Sequence, residues 1–158
     1  MLRRLAWVGD GAPRMEVAHV AATEPQLIAS GTQLGATYEL RYRLESNRLL
    51  LDLVGERQLE LSLDGADFFD LGWSPLFNSL PVIRDRLLGG GAAREYSMRW
   101  VDVPSLEVSV SVQRYEPLGD DVVRFSAGTF SSDIRFDEAG FVVSYPGIGT
   151  RVGRVPAG

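Results

Sequence analysis

The sequence predicts a mostly β fold built on one curved antiparallel sheet, and three observations carry that expectation. Hydrophobicity alternates with period two along most of the chain, turn residues separate neighbouring runs, and helical spacing is confined to one segment. At 158 residues the chain is read as a single domain over 1–158, large enough to bury roughly 68–70% of its unfolded surface.

Glu16 to Ala21 and Gln26 to Ser30 are the first candidate strands. Tyr38, Leu40, Tyr42 and Leu44 then alternate with Glu39, Arg41, Arg43 and Glu45, so one face can be buried while the other carries charge. Asn47 to Leu53 and Arg57 to Leu63 form a hairpin across Val54-Gly55-Glu56. Arg94 to Asp102 and the run 106–115 follow, and Leu118-Gly119-Asp120-Asp121 turns the chain into Val122 to Ser126. Asp137-Glu138-Ala139-Gly140 joins Asp133–Phe136 to Phe141–Tyr145. About nine to eleven strands result, too many for a flat sheet, which must curl or close. Ile28-Ala-Ser-Gly-Thr and Phe125-Ser-Ala-Gly-Thr are alike enough to raise an internal duplication.

Leu76, Leu80, Ile83 and Leu87 have helical spacing, but Pro81 disfavours the α conformation at Leu80. The expectation is therefore a short helical turn at Pro75 to Ser79 and a strand at Val82 to Leu88 that pairs with Arg94 to Val101 across Gly89-Gly90-Gly91. A short helix beginning at Pro81 is the competing reading.

Composition removes whole classes of chemistry. There is no Cys, all 16 basic residues are Arg, and His19 is the one His. Disulfides, thiolate metal sites, Schiff-base lysines, P-loops and multi-His metal centres cannot be built from this set, and no cofactor or metal is expected. A net charge of −5 opposes nucleic-acid binding. The longest uncharged stretch, Pro25 to Tyr38, is too short and polar to span a bilayer, and the apolar start ends at Gly9-Asp10, short of a secretory core. A cytoplasmic protein is expected, with its oligomeric state open.

The densest group of chemistry-bearing residues is Asp70 to Arg84. Trp73, Phe77, Asn78 and Arg84 combine apolar area with polar orienting groups, which suits a ligand pocket as well as an aromatic plug. Arg84 could meet a head group or merely pair with Asp85. Trp100 lies in a strand between Arg99 and Val101 and is read as a core or cavity-wall residue. Asp64, Asp67 and Asp70 are read as turn and loop acids rather than a calcium or glycosidase site, and no catalytic residue is assigned.

Four blocks, Asp70-Leu-Gly-Trp-Ser-Pro-Leu-Phe-Asn-Ser-Leu-Pro, Trp100-Val-Asp-Val-Pro-Ser-Leu, Gln113-Arg-Tyr and Asp137-Glu-Ala-Gly-Phe-Val-Val-Ser-Tyr-Pro-Gly, together with the opening Arg4-Leu-Ala-Trp, resemble in order and spacing the bacterial family named "putative glycolipid-binding". The match departs after Tyr42-Arg-Leu-Glu: the family continues with Cys-Asp and a Trp, where Ser46, Asn47 and Arg48 stand here, so no site is assigned there. The resemblance implies a half-barrel similar to periplasmic lipoprotein carriers, with a short helical turn or loop and an apolar cavity on the concave face and a lipid or glycolipid as ligand. It adds Gln113 and Tyr115 to the candidate contacts. Two alternatives stay open: a structural or partner-binding domain with a filled core, and a small hydrolase using His19 with a carboxylate.

Overall fold

The computed structural model describes residues 2–23 and 26–153. Thirteen strands follow in chain order, β1 Leu2–Gly9, β2 Met15–Thr23, β3 Gln26–Leu34, β4 Glu39–Leu44, β5 Arg48–Leu53, β6 Arg57–Ser62, β7 Phe68–Leu71, β8 Arg94–Val101, β9 Val108–Gly119, β10 Val122–Ala127, β11 Phe130–Phe136, β12 Val142–Tyr145 and β13 Gly149–Arg151, with one helix, α1 Pro75–Arg84, and a 3-10 turn at Leu87–Gly89. They form one sheet in the order β6-β5-β4-β3-β2-β1-β13-β12-β11-β10-β9-β8-β7. Three strands exceed the sequence expectation because β1, β7 and β13 are short or lack clean alternation.

Every neighbouring pair is antiparallel except β7 and β8, which run parallel with Phe68 opposite Met98 and Leu71 opposite Val101. The purely antiparallel expectation is corrected here to a mixed sheet. A parallel pair needs a crossover, and residues 72–93 supply it through α1. The expected strand at Val82 to Leu88 does not form: Val82 to Arg84 complete α1, Leu87 begins the 3-10 turn, and β8 takes β7 and β9 as partners.

The helix also runs through Pro81 instead of breaking there, and it begins at Pro75 rather than Pro81. A proline inside a helix costs about 3 kcal/mol through its lost hydrogen bond and ring clash. Leu76, Phe77, Leu80 and Val82 are all buried on α1, each burial contributing roughly 1.5–3 kcal/mol, which outweighs that cost. Pro75 fits the first turn, where its absent N–H has no partner to lose.

Turn chemistry follows the sequence closely. Asp120 and Asp121 both adopt positive φ, 52° and 60°, as a tight β9–β10 hairpin demands. Asp137 Oδ1 accepts the amides of Ala139 and Phe141, both at 3.0 Å, holding the β11–β12 turn. Gly31 is required by a close approach: a Cβ there would strike the Tyr42 ring laid across it from β4. The suspected duplication has no structural counterpart, since Gly31 lies inside β3 whereas Gly128 turns between β10 and β11.

The sheet is open, with β6 and β7 as its edges, yet it curls until its ends meet. Arg57 of β6 donates to the Ser105 carbonyl at 2.8 Å, and Arg99 of β8 donates to the Ser62 carbonyl at 2.6 Å and pairs with Asp64. The inward side chains pack against α1 in two clusters. One gathers Trp7, Leu40, Leu49, Phe69 and Phe77; the other gathers Tyr96, Tyr115, Phe125, Ile134 and Tyr145. In the second, edge-to-face contacts link Tyr96 to Tyr115 at 5.6 Å and Tyr115 to Phe125 at 5.4 Å.

Trp7 joins distant parts of the chain, its indole N–H donating to the Val142 carbonyl at 2.9 Å while the ring is 1% exposed. Trp7→Ala is expected to lower unfolding free energy by about 3–5 kcal/mol. Trp7→Phe should cost about 1–3 kcal/mol, chiefly from the orphaned carbonyl. Urea denaturation of both variants measures the two effects separately.

Candidate functional site

The concave face is where the chain concentrates polar groups inside apolar surroundings, and α1 organises them. Alternation on each strand sends Glu16 and Gln33 inward among otherwise apolar or small neighbours, while Asp70 is the last residue but one of β7, just before the chain turns toward the helix. Two buried polar systems result.

The first sits at the start of α1. Glu16, 2% exposed, accepts the Leu76 amide through Oε1 at 3.3 Å, so a β2 carboxyl serves the free N–H groups of the first helical turn. Ser74, Tyr42 and Gln33 face the same carboxyl. Glu16 Oε2, the Tyr42 hydroxyl and the Ser74 hydroxyl nevertheless have no partner in hydrogen-bonding alignment. Burial pushes the Glu16 carboxyl up to about 7, despite the opposing effect of these neighbours. Burial and the adjacent Glu16 likewise push the Tyr42 hydroxyl well above its ordinary range.

The second system lies along α1. Gln113 donates to Asp70 Oδ2 at 2.5 Å, the Tyr115 hydroxyl faces Gln113 Oε1 at 3.4 Å, and Asn78 of α1 donates to Tyr115 at 3.1 Å. Burial raises Asp70 to about 6. Burial and the Asp70 charge raise Tyr115 well above its ordinary range. Ser79 completes the seating of the helix by accepting the Val142 amide at 3.1 Å.

Of the residues singled out from the sequence, Asn78, Gln113 and Tyr115 therefore come together in one buried chain, with Phe77 beside it against Tyr42 at 5.4 Å. Trp73 stands apart at the β7–α1 turn, 43% exposed, with φ of 65°, a left-handed conformation that costs a non-glycine residue of order 1–3 kcal/mol. Arg14 stacks on its ring at 4.1 Å and donates to Tyr38, which donates to Gln33, which donates to the Gly72 carbonyl. A closed circuit thus ties the exposed platform to the buried floor. Trp100 is half-buried beside Gly72, consistent with a wall position rather than full core burial.

Arg84 is not part of this group. At the far end of α1 it packs over the Phe68 ring at 3.9 Å and pairs with Asp85 at 2.9 Å. His19 is exposed on the outer face between Arg4 and Ser30, with no carboxylate bonded to it among the described residues. Asp64 pairs with Arg99, Asp67 receives the Ser97 amide at 2.8 Å and Asp70 binds Gln113, so the three acids diverge. Among the described residues no group of three or more His, Cys, Asp or Glu could hold a metal ion. An open groove of about 510 Å³ also crosses the outer face of β4–β6, lined by Arg41, Arg43, Leu50, Asp52, Gln58 and Glu60. Glu16 and Gln33 were missed because alternation marks the inward positions without saying what they meet, and Asp70, read as a loop acid, is instead a buried residue of β7. The available signal was a charged or amide residue in the buried phase of a strand.

An open sheet curled around one helix, with polar systems buried along that helix, defines the class of protein: a helix-filled β half-barrel. The chain belongs to the family described as "Putative glycolipid-binding", whose model matches residues 52–151. No curated protein matches it. The crystal structure of a DUF1089 family protein from Pseudomonas aeruginosa is similar in fold at a TM-score of 0.58 and 22% identity, over 96% of this chain and 90% of that one.

The sign of the pH dependence follows from the raised carboxyls. Folded Glu16 holds its proton up to about 7, whereas an unfolded Glu releases it near 4.5, so this contribution to stability is complete below pH 4.5 and is lost as pH rises through 7. Glu16→Gln is expected to gain on the wild type by on the order of 3 kcal/mol between pH 4.5 and 8. Asp70→Asn should do the same over a lower window, from about 3.8 to about 6. Chemical denaturation across that range checks both, and a difference independent of pH would contradict the assignment.

Proposed function

We propose that this protein binds a lipid or glycolipid without catalysing a reaction, and that the ligand contacts cluster around α1. The observation that carries this reading is the occupant of the concave face. One ten-residue helix, with Pro81 inside it and an imperfectly bonded carboxyl at its start, fills the space where a half-barrel takes an acyl chain. Family membership supports the ligand class. A shift of α1 would uncover Phe77, Leu80 and the inward face of the sheet for the chain, while Trp73, Arg14 and Asn78 meet sugar or phosphate oxygens. Gln113 and Tyr115, bonded in line with Asn78, and Trp100, close to Gly72, are the remaining contacts in this reading. Arg84 keeps a place only at the margin, because Asp85 and Phe68 already hold its guanidinium.

The second reading is a filled-core structural or partner-binding domain. It is favoured by the burial and mutual bonding of Asn78, Gln113 and Tyr115.

Native mass spectrometry of protein purified without detergent distinguishes the two. Retained lipid, or a fluorescent fatty-acid probe displaced by added glycolipid, is the expected result; failure of both leaves the filled-core domain. Trp73→Ala should weaken probe binding by roughly 3- to 10-fold, the scale of one exposed stacking contact, with the melting temperature of the empty protein within about 3 °C of wild type.

A further inference from the structure

The outer face of β1–β3 carries a feature that neither the core nor the concave site uses. Outward positions on these strands are aligned by register into four rows: Leu2, Ala21 and Ile28; Arg4, His19 and Ser30; Ala6, Val17 and Thr32; Val8, Met15 and Leu34. The twelve positions include no acidic residue, in a chain with 21 Asp and Glu. Six are large apolar side chains left open to solvent, from Val8 at 38% to Leu2 at 62% exposed. Val152, also exposed, adds to the Ala6 row, since its amide donates to the Ala6 carbonyl at 2.8 Å. Arg4 and His19, the polar centre of the patch, have no hydrogen bond or ion pair with any described residue. On the β4 side the rows end in Arg43, Arg41 and Glu39, where Arg41–Glu39 and Arg43–Glu45 pairs at 2.9 and 3.1 Å balance the border.

We propose that this face docks on an anionic lipid surface, with the apolar rows entering the head-group boundary and Arg4 meeting lipid phosphates. Area and charge select that occupant. At strand spacings of about 4.8 Å and same-face repeats of about 6.7 Å the patch covers on the order of 400 Å². That is well short of the roughly 800 Å² per partner that a stable dimer buries. A bilayer interface asks for neither area nor shape, only exposed apolar groups and unpaired cations facing anionic lipid. Because the whole chain carries −5, an anionic surface repels its other faces and orients this one toward the membrane. The inference stands apart from the ligand reading, for docking requires no lipid to enter the concave face.

Co-flotation of the full chain with phosphatidylcholine vesicles, with and without phosphatidylglycerol, tests it. Binding to the anionic vesicles is expected, and Val8→Thr/Met15→Thr/Val17→Thr should reduce it roughly tenfold or more while keeping β-branched strand residues. Arg4→Gln should reduce it about fivefold on anionic vesicles only. Val110→Thr, at a still more exposed valine on β9, serves as the control and should bind as wild type does. The triple variant's melting curve confirms that it folds; if it does not, Arg4→Gln and Val110→Thr decide alone. Failure of the wild type to float, or equal loss in Val110→Thr, overturns the proposal. So does a wild-type dimer in sedimentation that the triple variant dissociates, which would assign the face to a second copy. Probe binding in the concave site, measured separately, can persist or fail in any of these cases.

Discussion

One inner face of a thirteen-stranded sheet must be removed from water, and a single ten-residue helix is the element available to do it. The curl of the sheet, the parallel β7–β8 pair and the tolerance of Pro81 all follow from that constraint. Curling brings inward side chains from β1, β4, β7 and β8 around a common axis, and α1 lies in the space they leave. A flat sheet of this width would expose the inner face to water, because one helix about 15 Å long covers only a few strands. Placing α1 inside forces the chain to enter from β7 and leave toward β8 on the same side, which is why those two strands run parallel.

The helix carries polar groups into that space, and the sheet answers them unevenly. Ser79 and Asn78 find aligned partners in Val142 and Tyr115, whereas the group at the N-terminal end leaves three atoms without one. Burying an ionised carboxylate costs far more than burying its acid, so Glu16 and Asp70 keep their protons to higher pH than exposed carboxyls do. The charge state of Glu16 is thereby linked to how firmly α1 is seated, since the same carboxyl accepts the Leu76 amide. A helix held by apolar burial along its length and by a titratable contact at its start is an element whose departure costs less than that of a β-strand in the ladder.

The two faces of the sheet divide the labour of the fold. Ion pairs such as Arg48–Glu45, Arg48–Glu60 and Arg124–Asp133 sit on the outside, where water screens them and they add little to stability. They keep most of the outer face charged and discourage association. The β1–β3 region departs from that pattern, having apolar side chains where the neighbouring strands have paired charges. The −5 balance of the whole chain conceals this local asymmetry.

The strands from β4 to β6 and from β10 to β12 were legible from alternation and from turns whose residues allow few alternatives, whereas β9 was legible as a strand only, because its alternating Val108, Val110 and Val112 face solvent and Gln113 and Tyr115 take the buried phase. Tyr38 to Glu45 and the Asp120-Asp121 turn show this most plainly. Family resemblance added the half-barrel and brought Asn78, Gln113 and Tyr115 onto one list. The helix through Pro81 was not legible, since local propensity at Leu80 opposes it and only the burial of four apolar side chains against a sheet made from remote segments reverses the balance. The parallel pairing of Phe68–Leu71, the capping of α1 by Glu16 from 60 residues away and the withdrawal of Arg84 to Asp85 and Phe68 were settled in the same way. Periodicity fixes which face a side chain occupies. What that side chain meets depends on how far the sheet curls and which strands close over the helix, and these are properties of the assembled fold.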